Sequence, residues 1–311
     1  GGGMRLGNSS PTIIEVTFSG NTAEYGGGIY LSYSNPTLTD VVFSGNTALF
    51  FGGGMRVAYS SPTIIGVKFS GNTAGNKGGG IYLSASSSMN SSYVLINNNY
   101  SEGHGAGIFI SAGSTINLNN STIASNIVGE GDTFGAGIYA DGGTAALVNS
   151  IVYYNRREGD YGINYNLNGY TMDILDEYTV SYSDIEGDEN WIPEGEGNIS
   201  IAPEINDFEN GDYNLQGGSP CIDTGIVIED MEYCDSAPDM GAYEYCEEEC
   251  GAELADVSGE GQINVLDIVQ IANLILEIST PLYECAADYN QDGSVDILDL
   301  VEIINFILFG D

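Results

Sequence analysis

The chain has 311 residues, a net charge of −38, and only six Lys and Arg residues against 44 Asp and Glu residues. All six basic residues lie at or before Arg157, so the chain lacks the basic patches that nucleic-acid binding requires, and the charge also argues against direct binding of anionic polysaccharides or anionic membranes. No apolar run is long enough to span a membrane, and the length allows one elongated domain and a small one.

The first part of the chain is a repeat. Similar segments start at Gly1, Gly26 and Gly52, and each contains apolar residues that alternate with polar ones, as in Ile14, Val16 and Phe18. A period of two predicts short strands with one buried face, and the Gly, Ser, Asn and Pro residues between them predict bends. A repeat of about 25 residues is typical of a solenoid, so each unit predicts one coil of an all-β parallel β-helix.

Stacked coils bring equivalent residues above one another. We expect an inward aromatic stack and a ladder of side-chain amides at a turn. The stack consists of Phe18, Phe43 and Phe69, and the ladder begins with Asn21, Asn46 and Asn72.

The repeat continues with less regular spacing. Further coils start at Gly78, Gly105 and Gly135, and another ends near Ile185, so residues 1–185 form the predicted coils. The inward position continues as Ile96, Ile123 and Val152, and the amide position as Asn99, Asn126 and Asn155. The longer spacing predicts loops at one corner, where solenoids often place functional residues. If the chain is a glycosidase, the residual candidates for its catalytic carboxylates are Asp132, Asp141 and Asp160 in these corner loops.

Residues 186–249 are irregular. They include the phrases Ala202–Ile205, Gly218–Gly225 and Asp239–Glu244. With the coils before them, these phrases resemble the end of extracellular bacterial right-handed β-helix proteins that carry a C-terminal sorting or anchoring module. The resemblance implies a right-handed solenoid, a region that closes it, and a location outside the cell or on its surface.

Two twelve-residue loops near the C-terminus predict two Ca²⁺ sites. Each has oxygen-bearing side chains at alternating positions and Gly at position 6, the pattern of an EF-hand loop. The first site comprises Asp256, Ser258, Glu260, Gln262, Asn264 and Asp267; the second comprises Asp288, Asn290, Asp292, Ser294, Asp296 and Asp299. The second loop has more carboxylates, so we expect it to bind Ca²⁺ more tightly.

Each loop precedes an apolar stretch, and position 12 is Asp. This paired arrangement resembles a type I dockerin, which implies a small all-α module over residues 250–311 that Ca²⁺ orders and that binds a cohesin. Positions 10 and 11, usually polar in that family, are Val265-Leu266 and Ile297-Leu298. The expected partner is therefore a cohesin-like protein, the chain's own β-helix or another copy of the chain, with a polysaccharide as a further candidate.

All five cysteines lie in the last third of the chain, beside the predicted Ca²⁺ loops. Cysteines next to Ca²⁺ sites favour a location in an oxidising environment outside the cell. Their spacing is not that of a zinc site. We pair Cys250 with Cys285 and Cys234 with Cys246, leaving Cys221 free and buried. Spacing alone does not fix this connectivity.

The sequence gives no catalytic residue. The single His104 lies at a coil start, as a turn residue would, and a lone Trp191 is more typical of packing than of a sugar platform. We expect a non-catalytic, secreted or cell-surface protein, structural or adhesive, whose C-terminal module mediates attachment or assembly, filaments included. The alternative is a polysaccharide-active enzyme, a lyase or glycoside hydrolase, with a dockerin-like targeting module.

Overall fold

The computed structural model describes residues 1–130, 133–159, 178–187, 192, 194–208, 210–229, 233–234, 236–246, 254–276, 278–282, 284–290 and 294–309. Several predicted residues lie outside these ranges: Asp132, Asp160, Trp191, Cys250 and Asp292. The side chain of Cys285, the predicted partner of Cys250, is not described either. The chain divides into a first unit, Gly1–Cys246, and a second unit, Glu247–Asp311.

The described residues of the first unit form six coils of four strands each and the start of a seventh. In chain order the strands are β1 (Met4–Gly7), β2 (Thr12–Ile14), β3 (Thr17–Ser19) and β4 (Thr22–Tyr25); β5 (Ile29–Ser32), β6 (Thr37–Thr39), β7 (Val42–Ser44) and β8 (Thr47–Phe51); β9 (Met55–Ala58), β10 (Thr63–Ile65), β11 (Lys68–Ser70) and β12 (Thr73–Ala74); β13 (Ile81–Ser84), β14 (Ser88–Ser92), β15 (Leu95–Asn97) and β16 (Tyr100–Ser101); β17 (Ile108–Ser111), β18 (Thr115–Asn119), β19 (Thr122–Ala124) and β20 (Ile127–Val128); β21 (Ile138–Asp141), β22 (Thr144–Val148), β23 (Ile151–Tyr153) and β24 (Arg156–Arg157); β25 (Tyr178–Ser181) and β26 (Asp184–Ile185).

Equivalent strands of successive coils pair in parallel and form four sheets. Sheet A runs β1-β5-β9-β13-β17-β21, sheet B β2-β6-β10-β14-β18-β22-β25, sheet C β3-β7-β11-β15-β19-β23-β26 and sheet D β4-β8-β12-β16-β20-β24. The register matches the sequence repeat: Phe18 pairs with Phe43, and Phe43 with Phe69. The predicted parallel solenoid is therefore confirmed.

The predicted stack and ladder are both present in the core. The rings of Phe18 and Phe43 lie 5.2 Å apart between centroids, and those of Phe43 and Phe69 lie 4.7 Å apart. The ladder runs from Asn21 to Asn155, and each amide nitrogen donates to the amide oxygen of the next coil at 2.8–2.9 Å. The strand pairing and the amide ladder therefore align the same residues of successive coils.

The glycine triplet allows adjacent coils to approach closely. Gly52, the first of the third triplet, has a φ of +71°, a conformation that glycine adopts without steric cost. A Cβ on Gly54, the third, would lie 2.7 Å from the carbonyl oxygen of Gly80 and 2.8 Å from the Phe69 ring. The triplet is therefore a packing requirement of the stacked coils.

After the last coil the chain packs on the outer side of sheet C. Ile199 forms an isolated parallel β-bridge with Asp184 of β26, so one further residue pair extends sheet C. The remaining residues include an antiparallel pair, β27 (Ile205–Asp207) and β28 (Asp212–Leu215). The contact buries Leu95, Ala124, Ile151 and Tyr153 of the coils against Ile205, Tyr213, Leu215, Cys221, Met240 and Ala242. This segment therefore covers the side of coils four to six.

The cysteines described in the first unit are Cys221, Cys234 and Cys246. Cys234 and Cys246 form a disulfide, whereas Cys221 is a buried thiol. This is the arrangement proposed for these three residues from the sequence.

The second unit contains α1 (Val265–Ile275), a 3-10 helix (Glu284–Ala287) and α2 (Ile297–Phe309). Its core is formed by Ala255, Val257, Ile271, Ala286, Ala287, Leu300 and Ile303. In the described part of the chain, none of the helices combines the length and hydropathy needed to cross a bilayer.

Candidate functional site

The first predicted calcium loop folds around its first and last carboxylates. Asp256 and Asp267 are both buried. Ser258 joins them, because its hydroxyl donates to Asp256 Oδ1 at 3.1 Å and its backbone N–H donates to Asp267 Oδ1 at 3.0 Å. Gly261 takes a φ of +81° and donates its N–H to Asp256 Oδ2 at 2.7 Å. Positions 1, 3, 6 and 12 of the loop therefore converge.

Asp256 is held in its ionised form. Burial raises the pKa of the carboxyl, but hydrogen bonds from the Gly261 N–H, the Ser258 hydroxyl and the Glu260 N–H outweigh it and bring the pKa below its usual value. A buried carboxylate that stays ionised provides the hard, charged oxygen that Ca²⁺ prefers.

The second loop repeats this arrangement around its last carboxylate. Asp299 is buried, and its Oδ1 accepts from the backbone N–H of Tyr289 at 2.9 Å and of Asn290 at 3.2 Å. Its Oδ2 accepts from the N–H of Asp296 at 2.8 Å. The carboxylate at position 12 therefore holds the start and the end of its own loop together.

The residues at position 9 have a role that the loop pattern did not predict. Asn264 caps α1, because its Oδ1 accepts from the Leu266 N–H at 2.7 Å while Asp267 Oδ2 accepts from the Asn264 N–H at 2.9 Å. Asp296 Oδ1 likewise accepts from the Leu298 N–H at 2.7 Å at the start of α2. An Asn or Asp before an apolar run, with an acidic residue three positions later, is the sequence signal of such a capping box.

The donor chemistry of both loops fits Ca²⁺. Buried carboxylates, side-chain amides and a hydroxyl are hard oxygen ligands. Within the described ranges, no three Asp, Glu, His or Cys side chains form a ready metal cluster. In the first loop the Glu260 carboxylate accepts from the Asn264 side chain, and Asp292 of the second loop lies outside the described residues. As Ca²⁺ ligands, all the predicted residues of both loops stay predictions, Gln262, Asp288 and Ser294 among them.

The two loop-helix halves are equivalent at an offset of 32 residues. The core of the unit uses corresponding positions in both halves: Ala255 and Ala287, Val257 and Tyr289, Ile263 and Val295, Ile268 and Leu300, Ile271 and Ile303, and Ile275 and Ile307. The Ala255 N–H also donates to the Ala286 carbonyl at 2.8 Å. A sequence duplication thus produces a duplicated structure with a shared core.

Equivalent apolar side chains remain exposed on the two helices. The exposed fractions are 65% for Val265 and 62% for Ile297, 48% for Leu266 and 54% for Leu298, and 50% for Val269 and 48% for Val301. We call these six residues the paired apolar face. Charged residues in the second unit are all acidic, since every Lys and Arg lies at or before Arg157. Exposed apolar side chains on two equivalent helices are candidates for contacts with a partner.

Of the candidate catalytic side chains on the coils, His104 and Asp141 lie within the described residues, and both make contacts with neighbouring side chains or backbone. His104 Nδ1 accepts from the Phe134 N–H at 3.0 Å, and its ring stacks on Tyr139 at 4.5 Å. Burial lowers the pKa of His104, and Lys77 lowers it further. Asp141 forms an ion pair with Lys77 at 3.7 Å. These contacts join neighbouring coils at a corner of the solenoid, which supports a structural role for both side chains.

Comparison with known families agrees with this architecture. Residues 1–155 match the model of the right handed beta helix region, and residues 254–308 match that of the dockerin type I domain. A search of curated proteins found no match.

Among solved structures, the chain is similar to one described as the crystal structure of pectate lyase Pel9A, at 13% identity and a TM-score of 0.47. The match covers 76% of this chain and 66% of that one, so the chain spans just under two thirds of its length. The family matches, the stacked coils and the paired loops identify the chain as a right-handed parallel β-helix followed by a type I dockerin module.

Proposed function

We propose that the chain is a non-catalytic, secreted or cell-surface β-helix protein that its calcium-bound C-terminal module attaches to a cohesin-type partner. The paired apolar face beside two calcium-type loops, on a segment that matches the dockerin type I domain, carries this proposal. The disulfide between Cys234 and Cys246 supports a location outside the reducing cytosol.

Calcium would control the shape of the paired apolar face. Asp267 and Asp299 belong both to the loops and to the first turns of α1 and α2. When bound, Ca²⁺ would neutralise carboxylates that otherwise repel one another in a unit without basic residues. The helices would then be fixed against each other, with Val265, Leu266 and their equivalents presented outward.

The chemistry of this face indicates the partner. A partner must cover apolar side chains at the centre and meet only negative charge at the rim, so it should present an apolar patch bordered by Lys or Arg. A second copy of the chain fits less well, because two copies of charge −38 would repel each other. A heterologous cohesin-type partner is therefore favoured over self-assembly.

Binding of the full chain to a panel of cohesin modules, measured by calorimetry and sedimentation in Ca²⁺ and in EDTA, tests this proposal. Because the two halves are equivalent, both must be changed, as in V265D/V269D/I297D/V301D. We expect this variant and EDTA to abolish complex formation, whereas L282D, at an exposed loop position of the same unit, retains it. Complexes that form equally well with the fourfold variant, or self-association in place of a complex, would contradict the proposal.

The non-catalytic part of the proposal has its own test. His104 and Asp141 are engaged in ring stacking and an ion pair, which supports a structural role for both. We expect the full chain in Ca²⁺ to release neither reducing ends nor unsaturated sugars from plant, algal or microbial polysaccharides. If the wild-type chain releases either product and the D141N variant does not, the chain would instead be a polysaccharide-active enzyme.

A further inference from the structure

Tyr33 and Tyr59 form a stacked pair of phenol rings on the second and third coils. Their ring centroids lie 4.7 Å apart and their planes differ by 1°. Each tyrosine directly follows one member of the strand pair Ser32 and Ala58, and the Tyr33 N–H donates to the Ala58 carbonyl at 3.3 Å. The parallel pairing of the coils therefore holds the two rings beside each other.

Both rings of this pair are accessible to a reagent in solution. Tyr33 is 57% exposed and Tyr59 is 55% exposed. Tyr153 and Tyr154 also meet, but edge to face, and Tyr153 is buried. Accessibility and face-to-face stacking thus coincide at Tyr33 and Tyr59.

Tyr82 shows how a second stacked tyrosine of the coils differs. Its ring lies 4.7 Å from that of Phe51 and 5.2 Å from that of Phe109. Phenylalanine has no phenolic O–H, so an oxidant that removes hydrogen from phenols does not activate these two neighbours. The stack at Tyr33 and Tyr59 places two phenols next to each other.

Two adjacent phenols can be joined by oxidation. Each tyrosine gives up one electron and its phenolic proton and becomes a phenoxyl radical, whose unpaired electron is shared with the ring carbons ortho to the oxygen. The two radicals couple through one new carbon–carbon bond between ortho carbons, and the hydrogens on those carbons move to the two oxygens. In total the pair loses two hydrogen atoms, and one hydrogen peroxide takes them up and becomes two waters.

We propose that Tyr33 and Tyr59 are a dityrosine cross-linking site, at which a peroxidase-type oxidant with hydrogen peroxide bonds the second coil to the third. The rings must turn from face to face to edge to edge, and their exposure leaves space for this rotation. Because the pair is held together, coupling within the chain is favoured over coupling between chains, and repulsion between chains of charge −38 adds to this preference.

This modification goes beyond attachment through the C-terminal module. A covalent bond between neighbouring coils lowers the conformational entropy of the unfolded chain, so it should make the β-helix harder to unfold. Oxidised wild type should therefore have a higher melting temperature of the first unit than oxidised Y33F. Equal melting temperatures would contradict the stabilising role.

Oxidation of the full chain in Ca²⁺ with hydrogen peroxide and a haem peroxidase tests the site itself. Intact-mass measurement, peptide mapping and denaturing electrophoresis follow the product. We expect a monomer that has lost two hydrogen atoms and yields one peptide pair joined through Tyr33 and Tyr59. Cross-links mainly at other tyrosines, covalent dimers as the main product, or no cross-link at all would overturn the proposal.

Two variants and a denatured control separate the site from general tyrosine oxidation. Y33F keeps the ring stack and the fold but should abolish the intramolecular cross-link. Its matched control is Y82F, which removes the hydroxyl of a tyrosine stacked on phenylalanines and should leave cross-linking unchanged. In denaturant the preference for Tyr33 and Tyr59 should disappear. Equal cross-linking in Y33F and wild type, loss in Y82F, or the same preference in the denatured chain would refute the site.

Discussion

Asn72 makes four hydrogen bonds to the neighbouring coils through one buried side chain. Its Oδ1 accepts from the backbone and side-chain nitrogens of Asn46 at 3.0 and 2.9 Å. Its Nδ2 donates to the Phe43 carbonyl and to Asn99 Oδ1, both at 2.9 Å. We expect N72A to lower the free energy of unfolding of the first unit by about 3 kcal/mol, because it leaves buried partners unpaired.

Denaturant unfolding followed by circular dichroism measures this effect. The exposed N117A is the matched control and should change stability by about 0.5 kcal/mol or less. A loss in N72A no larger than that in N117A would show that the ladder does not hold the coils together.

Asp184 is a buried carboxylic acid in β26, a strand of the last, partial coil. It accepts from the Ile201 N–H at 3.2 Å and faces the Cys221 thiol at 3.5 Å, with Glu186 and Tyr153 nearby. Burial raises its pKa from 3.8 to about 7. As pH rises, the unfolded chain loses this proton first, so Asp184 makes the stability of the first unit fall between about pH 4 and 7.

D184N removes this pH dependence. We expect it to raise the free energy of unfolding at pH 8 by on the order of 3 kcal/mol and to have little effect at pH 4. Melting curves across this range, with the exposed D40N as the control, measure the difference. A D184N variant that is less stable than wild type at pH 8 would contradict this assignment.

At the scale of elements, the glycine triplets and the calcium loops are the parts with the strictest requirements. G54A should cost several kcal/mol, on the order of 3, because the added methyl group meets the Gly80 carbonyl and the Phe69 ring. Gly7, where a Cβ meets no atom within 4 Å, provides the control G7A. Equal melting temperatures of G54A and G7A would mean that the coils can separate at little cost.

The two calcium loops should differ in affinity. The second loop offers more carboxylates, so D288A should remove the tighter of two Ca²⁺ binding events and D256A the weaker one. Titration calorimetry of the full chain distinguishes them. Ca²⁺ uptake that is lost in D256A but kept in D288A, or no uptake at all, would exclude this ranking.

The elements differ in how far the sequence predicted them. The coils were predictable, because strand period, Gly triplets and the ladder asparagines recur at a fixed spacing. The packing of the described residues between 194 and 246 on sheet C was not, since contacts such as Tyr213 with Asn98 join residues 115 positions apart and follow no period. The capping role of Asn264 could have been predicted, because Asn264 precedes an apolar run and an acidic residue follows three positions later. The same residue also fits position 9 of the calcium loop, and from the sequence we assigned it only to that loop.

At the scale of the whole molecule, the chain joins a β-helix to a dockerin type I module. The β-helix is stabilised by the stacked core and the amide ladder, neither of which involves a metal-type loop. The second unit has a small core and an acidic surface. Calcium should therefore stabilise the second unit and leave the first unchanged.

Differential scanning calorimetry of the full chain in millimolar Ca²⁺ and in EDTA tests this account most directly. We expect two transitions, of which EDTA lowers or abolishes only the smaller, while F69A lowers only the larger. A single transition that moves with EDTA, or two transitions that both ignore it, would contradict a calcium-ordered attachment module on an independently stable β-helix.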